Sequence, residues 1–186
     1  MKERFEKLLR ETGREGIEDL IAWLNTTDFY EAPASTKFHG ANKGGLLSHS
    51  LNVYDAAKEL FAVYGDYHNV MAGISPDSVA IAALLHDLCK VNFYATEKRN
   101  RKNEIGQWES YDCYTVKEKF RYGGHGSKSV FLAQQFIKLT PEEAIAINCH
   151  MGGFSEDPKS VYNAYEEHPF AWMIHVADEA ASLLFE

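Results

Sequence analysis

The run AALLHDLCK, residues 82–90, carries an apolar stretch into an imidazole beside a carboxylate, His86 followed by Asp87. Burying such groups costs several kcal/mol unless they are paired, hydrogen-bonded or bound to a metal, so partners must come from elsewhere in the chain. Four residues qualify by their surroundings: His49 on an apolar helical face, His125 at a helix start, His150 at a helix end, and Asp178 at the edge of an apolar face. Imidazole and carboxylate together suit first-row divalent transition metals such as Mn, Fe, Co, Ni and Zn. Six such groups exceed the needs of one tetrahedral ion, so the pattern points to two divalent ions.

The elements that must position these groups are mainly helical. Apolar spacing predicts short helices over 2–10 and 15–25, within an N-terminal helical region of residues 1–30. An irregular stretch with Pro33, Gly40, Gly44 and Gly45 follows, then a helix from Leu46 to about Tyr64 that turns His49 and Ser50 inward. Ser75-Pro76 reads as a cap with proline at the first helical position, opening a helix to about Leu88 that is apolar nearly all round and therefore central. Adjacent His86 and Asp87 can both reach one centre only where regular helix ends, because helical neighbours diverge by about 100°. Residues 92–124 change character and are expected to form an insertion with a small β-hairpin over 104–118. Helices are expected again from His125 to Leu139, from Pro141 to His150 behind a capping box of Thr140 and Glu143, and from Pro169 to Leu184.

At 186 residues the chain suits a single domain, and such a length buries roughly 70% of the unfolded surface. Three cysteines, Cys89, Cys113 and Cys149, form no CxxC pair and suit a reducing compartment. No stretch reaches the roughly 18 apolar residues of a membrane span, so the expectation is a soluble, cytoplasmic protein without membrane partners. A net charge of -8 argues against general binding to a nucleic-acid backbone. The run Lys98, Arg99, Arg101, Lys102 is a local exception, read either as a solvated loop or as a phosphate or nucleotide contact.

His49, His86-Asp87 and Asp178, in that order, resemble the H…HD…D signature of the HD-domain superfamily of metal-dependent phosphohydrolases, and the resemblance spans residues 39–181. The surrounding text supports it: GGLLSHSLNVYDAA, HDLCK, GHGSKSV at His125 and HVADEAAS around Asp178. His125 and His150 match the subset that holds a second metal, and the text is similar to the HD part of bacterial YhaM-type 3′-to-5′ exoribonucleases. The resemblance implies an all-α HD-domain bundle with the hairpin as insertion. It implies that His49, His86, Asp87 and Asp178 hold one ion, and that Asp87 bridges to another held by His125 and His150. It further implies hydrolysis of a phosphomonoester or phosphodiester, in a nucleotide or short oligonucleotide, by a metal-activated hydroxide. Lys90 would then donate to the phosphate, Asp87 and Lys90 being the catalytic pair, and His39, Arg99, Arg101 and Lys128 would contact substrate.

Blander readings stand beside these. His68, His168 and His175 read as ordinary core or turn histidines, although His175, three residues before Asp178, could replace a ligand. Cys89 and Cys149 read as small buried hydrophobes turned away from the ligands they adjoin. Trp108, Tyr111 and Tyr114 could stack a base or merely hold the hairpin to the body. The same four histidines and two aspartates also occur in HD-domain di-iron oxygenases, of which myo-inositol oxygenase is the type, and a degenerate site would leave a non-catalytic nucleotide-binding module.

Overall fold

Ser75 accepts a hydrogen bond from the Ser78 N–H and Pro76 takes the first helical position, so α4 (Pro76–Leu85) starts where local chemistry dictates. From Ser78 to Leu85 each of its residues is buried. It is the central helix of a computed structural model that describes residues 1–65, 71–117 and 124–185. Around it pack α1 (Lys2–Glu11), α3 (Gly45–Tyr64), α6 (Pro141–Cys149) and α8 (Pro169–Ala180). Helix α2 (Ile17–Leu24) follows α1, α5 (Gly124–Ala133) lies against α6, and α7 (Pro158–Glu167) lies against α8. One antiparallel hairpin, β1 (Tyr94–Lys102) with β2 (Trp108–Val116), completes the described elements. None of the described helices is long and apolar enough to cross a membrane.

Several elements differ from the sequence expectation. Helix α4 stops at Leu85 rather than Leu88, and a 3-10 turn, Leu88–Lys90, replaces its last turn. The hairpin begins at Tyr94, ten residues before the expected 104, so the run KRNRK is strand and not loop. A nine-residue stretch so polar lacks the alternation that marks a strand, and its pairing is imposed by β2, whose Trp108, Tyr111 and Tyr114 lie opposite Lys102, Arg99 and Thr96. Helix α7 was not expected at all, although Asp157-Pro158 forms a cap of the same kind as Ser75-Pro76, Asp157 accepting from the Ser160 N–H. Helices α5 and α8 also end early, at Ala133 and at Ala180, where a π turn (Ala181–Phe185) takes over. His68 and part of the expected insertion lie outside the described residues.

The N-terminal helices are tied to the helix that carries His150. Thr140 and Glu143 complete the expected capping box, and Glu143 also receives both guanidinium nitrogens of Arg14, at 2.6 and 2.9 Å, while Arg14 reaches the Lys138 carbonyl. Glu143 is fully buried. Burial pushes its carboxyl up, but Arg14, the Thr140 N–H and Ser78 outweigh this and hold it below its ordinary value. Just beyond Arg14, Gly16 sits at φ +87°, and a Cβ there would lie 1.9 Å from the Phe136 carbonyl oxygen, so only glycine permits the close approach.

Removing Arg14 would leave a buried carboxylate without its charge partner. Arg14→Ala is expected to lose about 3 kcal/mol of stability, read as a lower urea midpoint at neutral pH. Because the Glu143 pKa is depressed in the folded state, its contribution is present above the ordinary 4.5 and lost as pH falls through the folded value. The acid-induced loss of stability should therefore be smaller in Arg14→Ala than in the native protein.

Candidate metal centre

His86 is the C-cap of α4 and His150 is the C-cap of α6. The last carbonyls of a helix have no intrahelical partner. Each ring uses one: His86 Nδ1 lies 2.7 Å from the Ala83 oxygen and His150 Nδ1 2.7 Å from the Ile147 oxygen. A carbonyl only accepts, so Nδ1 carries the proton in both rings and the Nε2 lone pair faces inward. His49, near the start of α3, brings its Nε2 to 3.2 Å from that of His86 and 3.0 Å from Asp178 Oδ1. Asp87, at φ -103° and ψ 21°, has left the helix, and its Oδ2 stands 3.4 Å from His86 Nε2 and 3.6 Å from His49 Nε2. Its Oδ1 is 3.6 Å from His150 Nε2.

His49, His86, Asp87 and Asp178 from three helices and a turn thus converge with His150, and every one except Asp178 is buried. Two overlapping sets of donor atoms, His49 with His86 and Asp87, and His86 with His150 and Asp178, lie within 4.8 Å of one another. Burial raises the pKa of Asp87, yet Lys90, His86 and His150 outweigh it and keep the carboxyl well below its ordinary range. Asp178 is likewise pushed up by burial but held low by His49 and His86. The site is therefore a largely buried cluster in which two carboxylates and three imidazoles face one another. His150 Nε2 is fully buried with no hydrogen-bond partner. A buried, unpartnered imidazole nitrogen beside two carboxylates and two further imidazoles is donor chemistry that fits a divalent transition metal.

The surroundings fix the liganding groups further. Two further carbonyls at the α6 end are taken up from outside the helix: Tyr165 donates to the Cys149 oxygen and His175 Nδ1 to the His150 oxygen, each at 2.7 Å. His175 is thus a support under His150, stacked on Tyr165, and Gly152 makes room for it, since a Cβ there would meet the ring at 2.3 Å. Beyond the 3-10 turn, Asn92 takes φ +53° and its N–H donates to Asp28 at 2.6 Å. These supports were not read from the sequence, where Asp28 carries no local signal and the spacing of His175 to Asp178 suggests a replacement ligand rather than a support.

The other expected site residues fall into two groups. Near the centre, Lys90 Nζ is 2.5 Å from Asp87 Oδ2, and the His39 ring centroid is 4.8 Å from that of His49. His39 is carried there by a loop closed through Ser35 and the Gly40 carbonyl, against which Gly45 packs at a distance no Cβ would allow. His125 is within electrostatic reach of Asp87 and His150 but is absent from both close donor sets. Lys128 is buried, its Nζ 5.4 Å from the centre of the Phe93 ring. Away from the centre, Arg99 and Arg101 stand on the exposed hairpin, where Arg101 pairs with Glu109 at 2.6 Å and covers Tyr111. Cys89 departs from expectation: it is buried, but its sulfur faces His125 Nδ1 at 3.3 Å rather than turning away. Burial and the Asp87 charge push this thiol up to about 12, so it stays protonated.

The HD domain family matches residues 46–184, most of the chain. The chain belongs to the HD-domain family. Among HD-domain relatives, a dihydroneopterin 2′,3′-cyclic phosphate phosphodiesterase of Methanocaldococcus jannaschii is 28% identical over 153 residues, 82% of this chain and 52% of that protein. A ribonuclease Y of Mycoplasmoides gallisepticum is 27% identical over 152 residues, 80% of this chain and 22% of that protein. The chain therefore spans about half and about a fifth of the lengths of these relatives. No solved structure matches.

A cation in this pocket should bind the folded state alone. Mn²⁺ or Co²⁺ at a hundred times its dissociation constant is expected to add about 2.7 kcal/mol and raise the melting temperature by roughly 5–10 °C, and a chelator should reverse it. Asp178→Ala should abolish most of the shift, whereas an unchanged shift would place the ion elsewhere.

Proposed function

We propose that the protein is an HD-type metal-dependent phosphohydrolase acting on a phosphodiester of a nucleotide or short oligonucleotide. The observation that carries this reading is the buried convergence of His49, His86, Asp87, His150 and Asp178, with a lysine at its rim. Both relatives support a diester, one named for a cyclic phosphate and the other for RNA. In this reading His49, His86, Asp87 and Asp178 would hold one ion, and His125 and His150, sharing Asp87, would hold another. Bound ions of this type supply Lewis acidity at the phosphoryl oxygens and lower the pKa of water toward 7 from about 15.7.

The chain's own groups do the rest. Burial would lower the Lys90 pKa, but Asp87 and Tyr94 outweigh it and keep the ammonium charged. Lys90 then donates to a phosphoryl oxygen and opposes the charge that develops in the transition state. Asp87, which Lys90 touches, orients that ammonium. His39, half-buried beside His49, is the group placed to give a proton to the departing oxygen. Arg99 and Arg101, on the exposed hairpin, would meet the part of the substrate beyond the scissile phosphate. The set would operate without molecular oxygen, and a strict requirement for O₂ and iron would favour the oxygenase chemistry that the same ligands also permit.

Two experiments test the reading on a 2′,3′-cyclic nucleotide and a short RNA. Lys90→Ala should lower kcat about 10²–10³-fold with metal content unchanged, whereas Asp87→Ala should lose metal and activity together. A metal-replete, fully active Asp87→Ala protein would overturn the site. Neutralising Arg99 and Arg101 should raise KM for RNA about three- to tenfold at low salt, with little effect at high salt or on a small generic phosphoester, because exposed charges are screened.

A further inference from the structure

The imidazoles of the centre are held by different means, and the difference follows from where each stands on its helix. His86 and His150 end their helices, where free carbonyls are on hand to accept Nδ1–H. His125 is at the opposite kind of terminus, the second residue of α5 (Gly124–Ala133). A helix start offers N–H donors and no free carbonyl, so a histidine there must find its Nδ1 partner on another element. The atom that meets it is Cys89 Sγ, at 3.3 Å, from the 3-10 turn that follows Asp87.

The contact is one half of a reciprocal latch. The Cys89 N–H donates to Ser129 Oγ at 3.0 Å, and Ser129 stands four residues after His125 on the same helix, fully buried. Helix α5 thus supplies an acceptor to the turn, and the turn returns a sulfur to α5. Cys89 is itself only 1% exposed, and the Phe93 ring stands edge-on to His125 at 5.7 Å on the same half-buried imidazole. Gly126 lets the start of α5 lie close against α6, since a Cβ there would lie 2.1 Å from the Asn148 carbonyl oxygen.

We infer that Cys89 is a positioning residue for His125: its sulfur accepts the Nδ1–H and leaves Nε2 as the lone-pair nitrogen available to a metal ion. This rests on the two-ion reading for its consequence, but not for its geometry. Sulfur is a weaker acceptor than a carbonyl, so this imidazole is held less firmly than His86 or His150. The position that His125 serves is expected to fill after the other, at higher metal concentration.

The test uses the whole chain in two states. In the metal-free protein, ¹⁵N spectra of the His125 ring should show the proton on Nδ1, and in Cys89→Ala a mixture or the Nε2–H form. Titration with Mn²⁺ should fill two unequal sites in the native protein. Cys89→Ala should weaken the second about tenfold or more and leave the first unchanged, as disturbed supports of ligand histidines commonly do. Cys89→Ser, whose oxygen also accepts, should restore much of both readouts, and Ser129→Ala should fall between. If Cys89→Ala changes neither the ring proton nor the second site while melting normally, the inference is overturned. If the native protein binds one ion only but the ring proton moves in Cys89→Ala, the positioning stands and the two-ion reading fails.

Discussion

His86 and His150 each terminate a helix and each donate Nδ1–H to a carbonyl that the helix leaves free, and the centre depends on this. One hydrogen bond settles three things at once: the helix end is satisfied, the ring cannot rotate, and the nitrogen that points inward is the one without a proton. Asp87, buried, and Asp178, partly exposed, then add carboxylate oxygens to the cluster. Acceptors packed this closely in a low-dielectric interior repel one another unless a cation lies among them. Lys90 supplies one charge at the rim, and a divalent ion is what the buried remainder of the set is suited to.

The scaffold reads as a means of holding two helix ends at one point. Helix α4 can carry His86 into the centre because it is buried along most of its length, and burial on every side leaves it little room to shift. Helix α6 is pinned at both ends: at its start by Thr140, Glu143 and Arg14, and at its finish by Tyr165 and His175. The His175 contact also joins α6 to the helix that bears Asp178, so two of the converging groups are fixed relative to one another by a bond that touches neither of their coordinating atoms. Arg14 reaches from the loop after α1, which couples the integrity of the centre to the N-terminal helices, far from it in sequence.

The hairpin obeys different physics. It is attached through Tyr94, whose hydroxyl donates to the Ala34 carbonyl at 3.0 Å, and its base is closed by the Lys117 N–H, which donates to the Phe93 oxygen at 2.8 Å. Its outer portion is held by cross-strand contacts of cation on aromatic, Arg101 on Tyr111 and Lys102 on Trp108, and each such exposed contact contributes about 0.5–1 kcal/mol. Charges of both signs alternate along it, so its basic run is largely answered by Glu97, Glu109 and Asp112. Lys98, Arg99, Arg101 and Lys102 form the basic run of this hairpin in a protein of net charge -8.

Much of this was legible in the sequence, because it rests on interactions between residues close along the chain. Ser75-Pro76, Thr140-Pro141 and Glu143 are complete cap instructions within four residues, and apolar spacing turned His49 inward without reference to any other helix. The ordered H…HD…D text placed the chain in its family, and the family match agrees. The position of the break at His86-Asp87 was required by the divergence of helical neighbours, although the helix end itself came three residues earlier than the apolar run suggested. What only the tertiary structure decided are the relations between segments far apart: Arg14 with Glu143, Asp28 with Asn92, His175 under His150, and the sulfur of Cys89 turned to His125. Strand β1 belongs with them, since a polar segment becomes a strand only when a partner is brought alongside. A cap or an amphipathic face is settled by neighbours within one or two turns, whereas a buried polar atom takes its partner from whichever element the packed core places beside it.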